Sequence, residues 1–187
     1  MRLENAVTNL SAAEEVQAFF HTKSLLFAGS PVCEGKIGPL PQEIQMQFSS
    51  LAQLTLVEAD GSKELPMKFP APWEPVLPKQ TDHVLVLFGL SALGKPLCQV
   101  CHRWELAAAK YGWAPDDAVT PQMAATVLEA GYFSYLRARD LPFTLILNQA
   151  DTVSPNEVSL LVSFLSPVPW ISMSLRDAPH DLAKRND

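Results

Sequence analysis

The stretch from Leu54 to Pro78 places the strongest constraint on the fold, because prolines recur through its second half. Proline lacks an amide hydrogen and fixes its own φ angle, so a helix is excluded there and an extended path is expected. The prolines are Pro66, Pro70, Pro72, Pro75 and Pro78. The apolar run Leu54–Val57 precedes them and predicts a short buried strand. The sequence therefore predicts a strand that ends near Glu58, followed by a stiff extended connection.

Apolar runs and helix signals alternate through the rest of the chain. Val84–Phe88 is a continuous apolar run, typical of a fully buried parallel strand, and Phe143–Leu147 is predicted as a further buried strand. Thr120 before Pro121 predicts a helix that Gly131 interrupts, and Ser154 with Glu157 forms a capping-box signature. Further helices are predicted at about 12–20, 42–53 and 103–111, short strands at 25–28 and 170–173, and a loop at 31–40.

This alternation predicts an α/β fold, with a mostly parallel sheet flanked by helices. At 187 residues and 48% hydrophobic content, the chain is long enough for one domain, residues 1–187, in which 176–187 form a polar tail. The net charge of −6 and the lack of a basic cluster exclude a nucleic-acid-binding surface. There is neither a membrane-length apolar run nor a secretion signal, so we expect a cytoplasmic protein that does not enter membranes.

Two carboxylates, Glu58 and Asp60, follow the predicted strand at Leu54–Val57 and precede Gly61-Ser62-Lys63. Acidic residues at the carboxyl end of a buried strand, followed by glycine and lysine, suit a site for a phosphate-bound metal ion. The same residues also fit an ordinary turn, since Asp-Gly is a common turn dipeptide. The pattern alone leaves both interpretations open.

The run from Cys98 to His102 has the C-x-x-C-H spacing of haem attachment. A zinc site would need further ligands, for which Cys33, His83 and His102 are the available residues. Half-buried packing is the alternative for both cysteines. We predict that Cys98 and Cys101 hold neither metal nor haem, and a thiol or metal carrier ranks third among the functions considered.

The residues from Glu58 to Pro78 match the pattern EADGSKxLPxKxPxxxEPVxP, and GLxALGKPL, HRxE and NxAD follow downstream. Together these motifs resemble the YqeC family, over about residues 24–166. Members of that family are regarded as accessory factors for selenium-dependent molybdenum hydroxylases. The resemblance implies a P-loop NTPase-like fold and a nucleotide-binding site with Mg²⁺. It also implies a molybdenum hydroxylase or its maturation proteins as partners.

The resemblance also implies roles for individual residues. Glu58 and Asp60 would be catalytic, with Asp60 as the Mg²⁺ ligand. Gly61, Ser62 and Lys63 would contact phosphate, since glycine allows close backbone approach and lysine adds positive charge. His102, Arg103 and Glu105, from HRxE, are pocket candidates. Lys95, which follows Gly94, is a further candidate in a phosphate-contacting turn.

Asn148 and Asp151 end the predicted strand Phe143–Leu147 and resemble the NKxD element with which GTPases recognise guanine. An aspartate there accepts hydrogen bonds from the ring N–H and the exocyclic amine of the base. Gln149 replaces the usual lysine, which weakens the inference. The alternative is a turn in which Asp151 only accepts from backbone donors.

The Gly-rich phosphate loop of the family is absent from these 187 residues. In the family a strand, this loop and its helix precede the place of Met1, so we expect that they are lost or that the start is assigned too late. An accessory factor with nucleotide binding is the leading hypothesis, and a non-catalytic interaction module is the alternative. Without its neighbouring strand, Leu54–Val57 would be an unpaired edge, which predicts self-association into a homo-oligomer.

Overall fold

The computed structural model describes residues 6–7, 26–33 and 36–174. The predicted helix at 12–20 and the predicted tail at 176–187 lie outside the described residues. The chain divides into two compact units, Met1–Val57 and Glu58–Asp187. The single domain expected from the sequence stays a prediction.

The first unit contains short strands and one described helix. Strand β1 (Ala6–Val7) pairs in parallel with β2 (Phe27–Ala28), while β3 (Ser30–Cys33) and β4 (Lys36–Gly38) form an antiparallel pair. Helix α1 covers Gln42–Leu51, close to the predicted 42–53. The prediction of a loop at 31–40 is wrong, because β3 and β4 pair within this range. A side chain at Gly38 would lie 2.7 Å from Val32, so the glycine lets the two strands approach.

The predicted strand at Leu54–Val57 does not form. These residues adopt no regular structure, and Leu54 and Leu56 are 74% and 78% exposed. Apolar and β-branched residues favour a strand only where a neighbouring strand supplies hydrogen bonds. Among the strands that the structure describes, none pairs with this segment. The prediction therefore failed for lack of a pairing partner.

The second unit contains two parallel sheets. The larger has the order β6 (Val84–Gly89), β8 (Phe143–Asn148), β9 (Trp170–Ser172), with Val84 opposite Phe143 and Gly89 opposite Asn148. The smaller pairs β5 (Met67–Lys68) with β7 (Cys101–His102). The predicted strands in this unit and their parallel pairing are confirmed, so the fold is α/β with parallel sheets. The likeness to a P-loop NTPase stays a prediction.

Helices connect these strands and cover the larger sheet. They are α2 (Leu97–Val100), α3 (Trp104–Tyr111), α4 (Pro121–Leu128), α5 (Ser134–Ala138) and α6 (Pro155–Ser163), with 3₁₀ turns at Leu90–Ala92 and Ala150–Thr152. Both predicted caps form: the Thr120 hydroxyl accepts from the Met123 amide at 3.1 Å, and Ser154 and Glu157 complete a capping box. These caps fix where α4 and α6 begin.

Helix α4 continues through a π-helical segment, Glu129–Phe133, into α5. The predicted interruption at Gly131 is therefore a change of helix type: the α-helix ends at Leu128 and resumes at Ser134, with no break in the helical path between them. A side chain at Gly131 would lie 2.8 Å from the Pro70 ring, so this glycine allows close packing against the Pro-rich segment and does not end the helix.

The core lies on one face of the larger sheet, where Val86, Phe88, Leu145 and Leu147 pack with buried helix residues. The opposite face carries Leu85 and Leu87, which are 52% and 66% exposed. The prediction that β6 is buried on both faces is thus wrong. Alternate side chains of a strand point to opposite faces of the sheet, and the described helices cover only one of these faces. In the described part of the chain, no helix combines the length and apolar character needed to cross a membrane.

Candidate functional site

A buried lysine lies at the centre of a cluster of charged side chains in the second unit. Lys68 is only 6% exposed, and its ammonium group contacts the Asp60 carboxylate. It also donates to the Gly61 carbonyl at 2.9 Å and forms an ion pair with Glu74 at 3.0 Å. An ammonium group has three N–H donors. These three acceptors therefore replace the hydrogen bonds to water that the ammonium group loses on burial.

Glu74 joins this lysine to Arg103. The guanidinium of Arg103 donates to both carboxylate oxygens of Glu74, at 2.9 and 3.1 Å, in the two-bond geometry that fixes an arginine most firmly. Burial acts to raise the pKa of Glu74, but the Ala71 amide, Lys68 and Arg103 together hold this pKa below its usual value. Glu74 is therefore a carboxylate at neutral pH, and it holds Arg103 in place.

Tyr132 completes the cluster from the π-helical segment. Its hydroxyl donates to Asp60 Oδ2 at 2.8 Å, while Lys68 occupies Oδ1. Burial and then the negative charge of Asp60 raise the pKa of Tyr132 well above its usual value, so the phenol stays protonated and donates. We call Asp60, Lys68, Glu74, Arg103 and Tyr132 the ion cluster.

The Asp60 carboxylate, expected from the resemblance to be a Mg²⁺ ligand, is paired with other members of the ion cluster. Its Oδ1 contacts the Lys68 ammonium and its Oδ2 accepts from the Tyr132 hydroxyl. In the described ranges, no group of three or more histidine, cysteine or acidic side chains is placed to hold a metal ion. Asp60 is thus part of an ion pair, and its role as a Mg²⁺ ligand stays a prediction.

The smaller sheet brings the distant parts of the cluster together. Lys68 in β5 lies opposite His102 in β7, and the Phe69 amide donates to the His102 carbonyl at 3.0 Å. Arg103 follows with a left-handed backbone, φ +62°, and turns the chain into α3. This turn places the side chain of Arg103 beside Glu74, 29 residues away in sequence.

A cavity of about 280 Å³ adjoins the cluster. Its lining combines two cations with a histidine, two thiols, a carboxylate and apolar groups: Lys63, Leu65, Cys98, Cys101, His102, Arg103, Trp104 and Glu105. Burial lowers the pKa of His102, and the positive charges of Lys63, Lys68 and Arg103 lower it further, against the opposing effect of Glu74. The charges acting on His102 are thus mainly positive, while Lys68 and Arg103 are ion-paired with Asp60 and Glu74, and Glu105 also lines the cavity. We call this cavity the basic pocket.

Four sequence candidates thus lie around the basic pocket, namely Lys63, His102, Arg103 and Glu105. Lys95 does not line it and is exposed. Glu58 is exposed too, while the Ser62 hydroxyl donates to the Leu65 carbonyl at 2.8 Å and closes a turn.

Asn148 ends β8 and Asp151 lies in the turn that follows it, as predicted. Asn148 Oδ1 accepts from the Gln149 amide at 2.8 Å, and Asp151 accepts from the Ser174 hydroxyl at 2.6 Å. The Pro66 carbonyl accepts from the Gly89 amide at 2.7 Å, so the chain that follows Asp60 reaches this end of the sheet. A shared nucleotide site for Asp60 and Asn148 stays a prediction.

Sequence reasoning gave no role to three members of the ion cluster. Lys68 and Glu74 match the motif from Glu58 to Pro78, so the motif marked their positions without revealing their contacts. Tyr132 carried no signal, because its partner Asp60 is 72 residues away.

Comparison with known proteins gives two matches of limited extent. The family model described as "YqeC protein" matches residues 3–105. "Uncharacterized protein YqeC" of Escherichia coli (strain K12) is 40% identical over 62 residues, which are 33% of this chain and 24% of that relative. The chain therefore matches about a quarter of the length of this curated relative. No solved structure matches the chain.

Proposed function

Because the chain belongs to the YqeC family, we propose that it is an accessory protein in the maturation of a selenium-dependent molybdenum hydroxylase, and that it works by binding a phosphate-bearing ligand such as a nucleotide. The observation that carries the binding role is that Lys63 and Arg103 line the same pocket as His102. The role in hydroxylase maturation rests on the resemblance to the family.

The chemistry of the basic pocket favours an anion. Arginine and lysine are the side chains that recognise phosphate oxygens, arginine through paired N–H donors and lysine through a point charge. Arg103 is held by Glu74 through two of its five N–H donors, so little side-chain freedom is lost when a ligand binds and a phosphate would meet the remaining donors. Lys63 is exposed and can move onto a ligand from solvent. Glu105 lines the same pocket and would disfavour a ligand whose negative charge lies next to it.

A Mg²⁺ ion that accompanies the nucleotide would be held mainly by phosphate oxygens and water, as is common for this ion. Asp60 would then act indirectly, because it neutralises Lys68 and leaves Glu74 to hold Arg103. No protein ligand for the metal is assigned.

The alternative function is an interaction module without nucleotide chemistry. It is supported by the ion pairing of Asp60, whose carboxylate contacts Lys68 and Tyr132 within the fold. In this alternative the ion cluster stabilises the fold, and a surface of the protein docks to the hydroxylase.

Titration with GTP, ATP and inorganic phosphate, followed by calorimetry, tests the binding role. Lys63 has φ +54°, so Lys63→Asn removes the charge and keeps a residue that tolerates this backbone. We expect binding to weaken about five- to tenfold, as for one charge lost at a few ångströms in water. Lys79→Asn is the matched control, since Lys79 is exposed and does not line the pocket. Equal affinity of both variants, or no binding of phosphate by the wild type, refutes the proposal.

Size-exclusion chromatography with the purified hydroxylase separates the two functions. Complex formation that requires nucleotide and is weakened by Lys63→Asn supports the nucleotide-dependent role. Complex formation without nucleotide, equal in the wild type and Lys63→Asn, supports the interaction module.

A further inference from the structure

We propose that the basic pocket is also a thiol–disulfide exchange site, at which Cys98 accepts the thiol half of a small anionic disulfide of the glutathione class. The inference rests on the proposed function in one respect, the attraction of anions by Lys63 and Arg103. It adds a covalent step and a substrate class to that pocket.

Two observations carry the proposal. The first is that two thiols with C-x-x-C spacing line one cavity together with two cations. The second is that the thiols differ in access: Cys98 is half-buried, whereas Cys101 is 1% exposed and donates to the His102 carbonyl at 3.6 Å. Burial raises the pKa of Cys101 to about 11, so its thiolate is scarce at neutral pH. Cys98 is therefore the thiol that meets a ligand.

The size and charge of the pocket select the ligand class. Pockets for drug-sized ligands begin at about 300 Å³, so a cavity of about 280 Å³ suits one half of a small disulfide. Carboxylates on that half would lie near Lys63 and Arg103. A neutral disulfide lacks this attraction, and a cationic one is repelled.

The exchange balances without a further redox partner. The Cys98 thiolate attacks one sulfur of the disulfide, and the new bond forms as the old sulfur–sulfur bond breaks. The leaving half departs as a thiolate and takes up a proton from water. Cys98 is oxidised to the mixed disulfide, and the leaving half is reduced to a free thiol.

The test follows adduct formation at pH 7.5 by intact-protein mass spectrometry, in a Cys33→Ser background that removes the third cysteine. With glutathione disulfide we expect one adduct, absent in Cys98→Ser and formed at the parental rate in Cys101→Ser. Lys63→Asn should slow this reaction about five-fold. The same substitution should leave the rate with neutral hydroxyethyl disulfide unchanged and raise the rate with cationic cystamine.

An adduct that persists in Cys98→Ser overturns the assignment of the residue. Equal slowing of all three disulfides by Lys63→Asn overturns the charge selection, since it would indicate a change of packing. Failure of the Cys33→Ser/Cys101→Ser variant, which keeps only Cys98, to react faster folded than unfolded in urea overturns the site as a whole.

A phosphate titration of Cys98→Ser keeps the two proposals apart. Retained phosphate binding together with lost adduct formation supports both of them. If Cys98→Ser still forms the adduct while Lys63→Asn still weakens phosphate binding, only the exchange proposal falls.

Discussion

Replacing Lys68 with methionine removes the ammonium group that joins Asp60 to Glu74. Methionine keeps the length and most of the volume of the lysine stem, so the packing of β5 should change little. What changes is the electrostatic balance, because two nearly buried carboxylates, with side chains 10% and 14% exposed, lose the cation between them.

Removing one partner of a buried ion pair generally costs 3–5 kcal/mol, since the remaining charge stays buried without compensation. Asp60 keeps the Tyr132 hydroxyl, and Glu74 keeps Arg103 and the Ala71 amide. These contacts place Lys68→Met at the lower end, about 3 kcal/mol. That is a large part of the roughly 5–15 kcal/mol by which a domain is stable.

Urea denaturation followed by circular dichroism measures this loss. The double variant Asp60→Asn/Lys68→Met removes one of the stranded carboxylates, so we expect it to recover about 1–2 kcal/mol relative to Lys68→Met. Lys79→Met is the matched surface control, and its free energy of unfolding should change by less than about 0.5 kcal/mol.

The reasoning is refuted if Lys68→Met unfolds within about 1 kcal/mol of the wild type. That result would mean that Lys68 contributes no more than a surface ion pair. A double variant less stable than Lys68→Met would show that the Asp60 charge is not the source of the loss.

Two further perturbations test other parts of the second unit. Burial acts to raise the pKa values of Glu74 and Glu129, but hydrogen bonds and neighbouring cations outweigh it and lower both pKa values in the folded state. These two carboxylates therefore stabilise the fold fully above pH about 4.5, and this stabilisation is lost as the pH falls through the folded-state pKa. Urea midpoints from pH 7 to 3 should fall in that window, and less steeply for Glu129→Gln; a flat profile contradicts this. Gly89→Ala places a carbon 2.6 Å from Pro66 and should cost about 1–3 kcal/mol in the same assay, against less for Gly61→Ala, whose added carbon meets only the flexible end of the Glu58 side chain at 3.2 Å. Equal stability of these two variants would count against the close contact.

The sequence predicted the elements that depend on near neighbours. Val84–Gly89 contains a continuous apolar run, Phe143–Asn148 is mostly apolar, and the Ser154 cap needs only Glu157, three residues on. Leu54–Val57 shows the limit of such reasoning, because a strand also needs a partner that local pattern cannot supply.

The candidate site was less accessible from sequence for the same physical reason. A lysine such as Lys68 is normally exposed, and its burial depends on Asp60 and Glu74, which lie on either side of it in the chain. Arg103 joins them only because β5 and β7 pair. Lys63 and His102 were predicted as separate site residues, and the fold places them around one pocket.

The π-helical segment Glu129–Phe133 makes the ion cluster sensitive to residue count. Each residue of an α-helix turns the chain by about 100°, and a π turn takes in an additional residue without disturbing the helix on either side. Losing one residue here would let a regular helix run from α4 to α5 and would swing Tyr132 away from Asp60. The number of residues between Thr120 and Ala138 is therefore constrained. Relatives with one residue fewer in this interval would need other side chains to hold Asp60 in place.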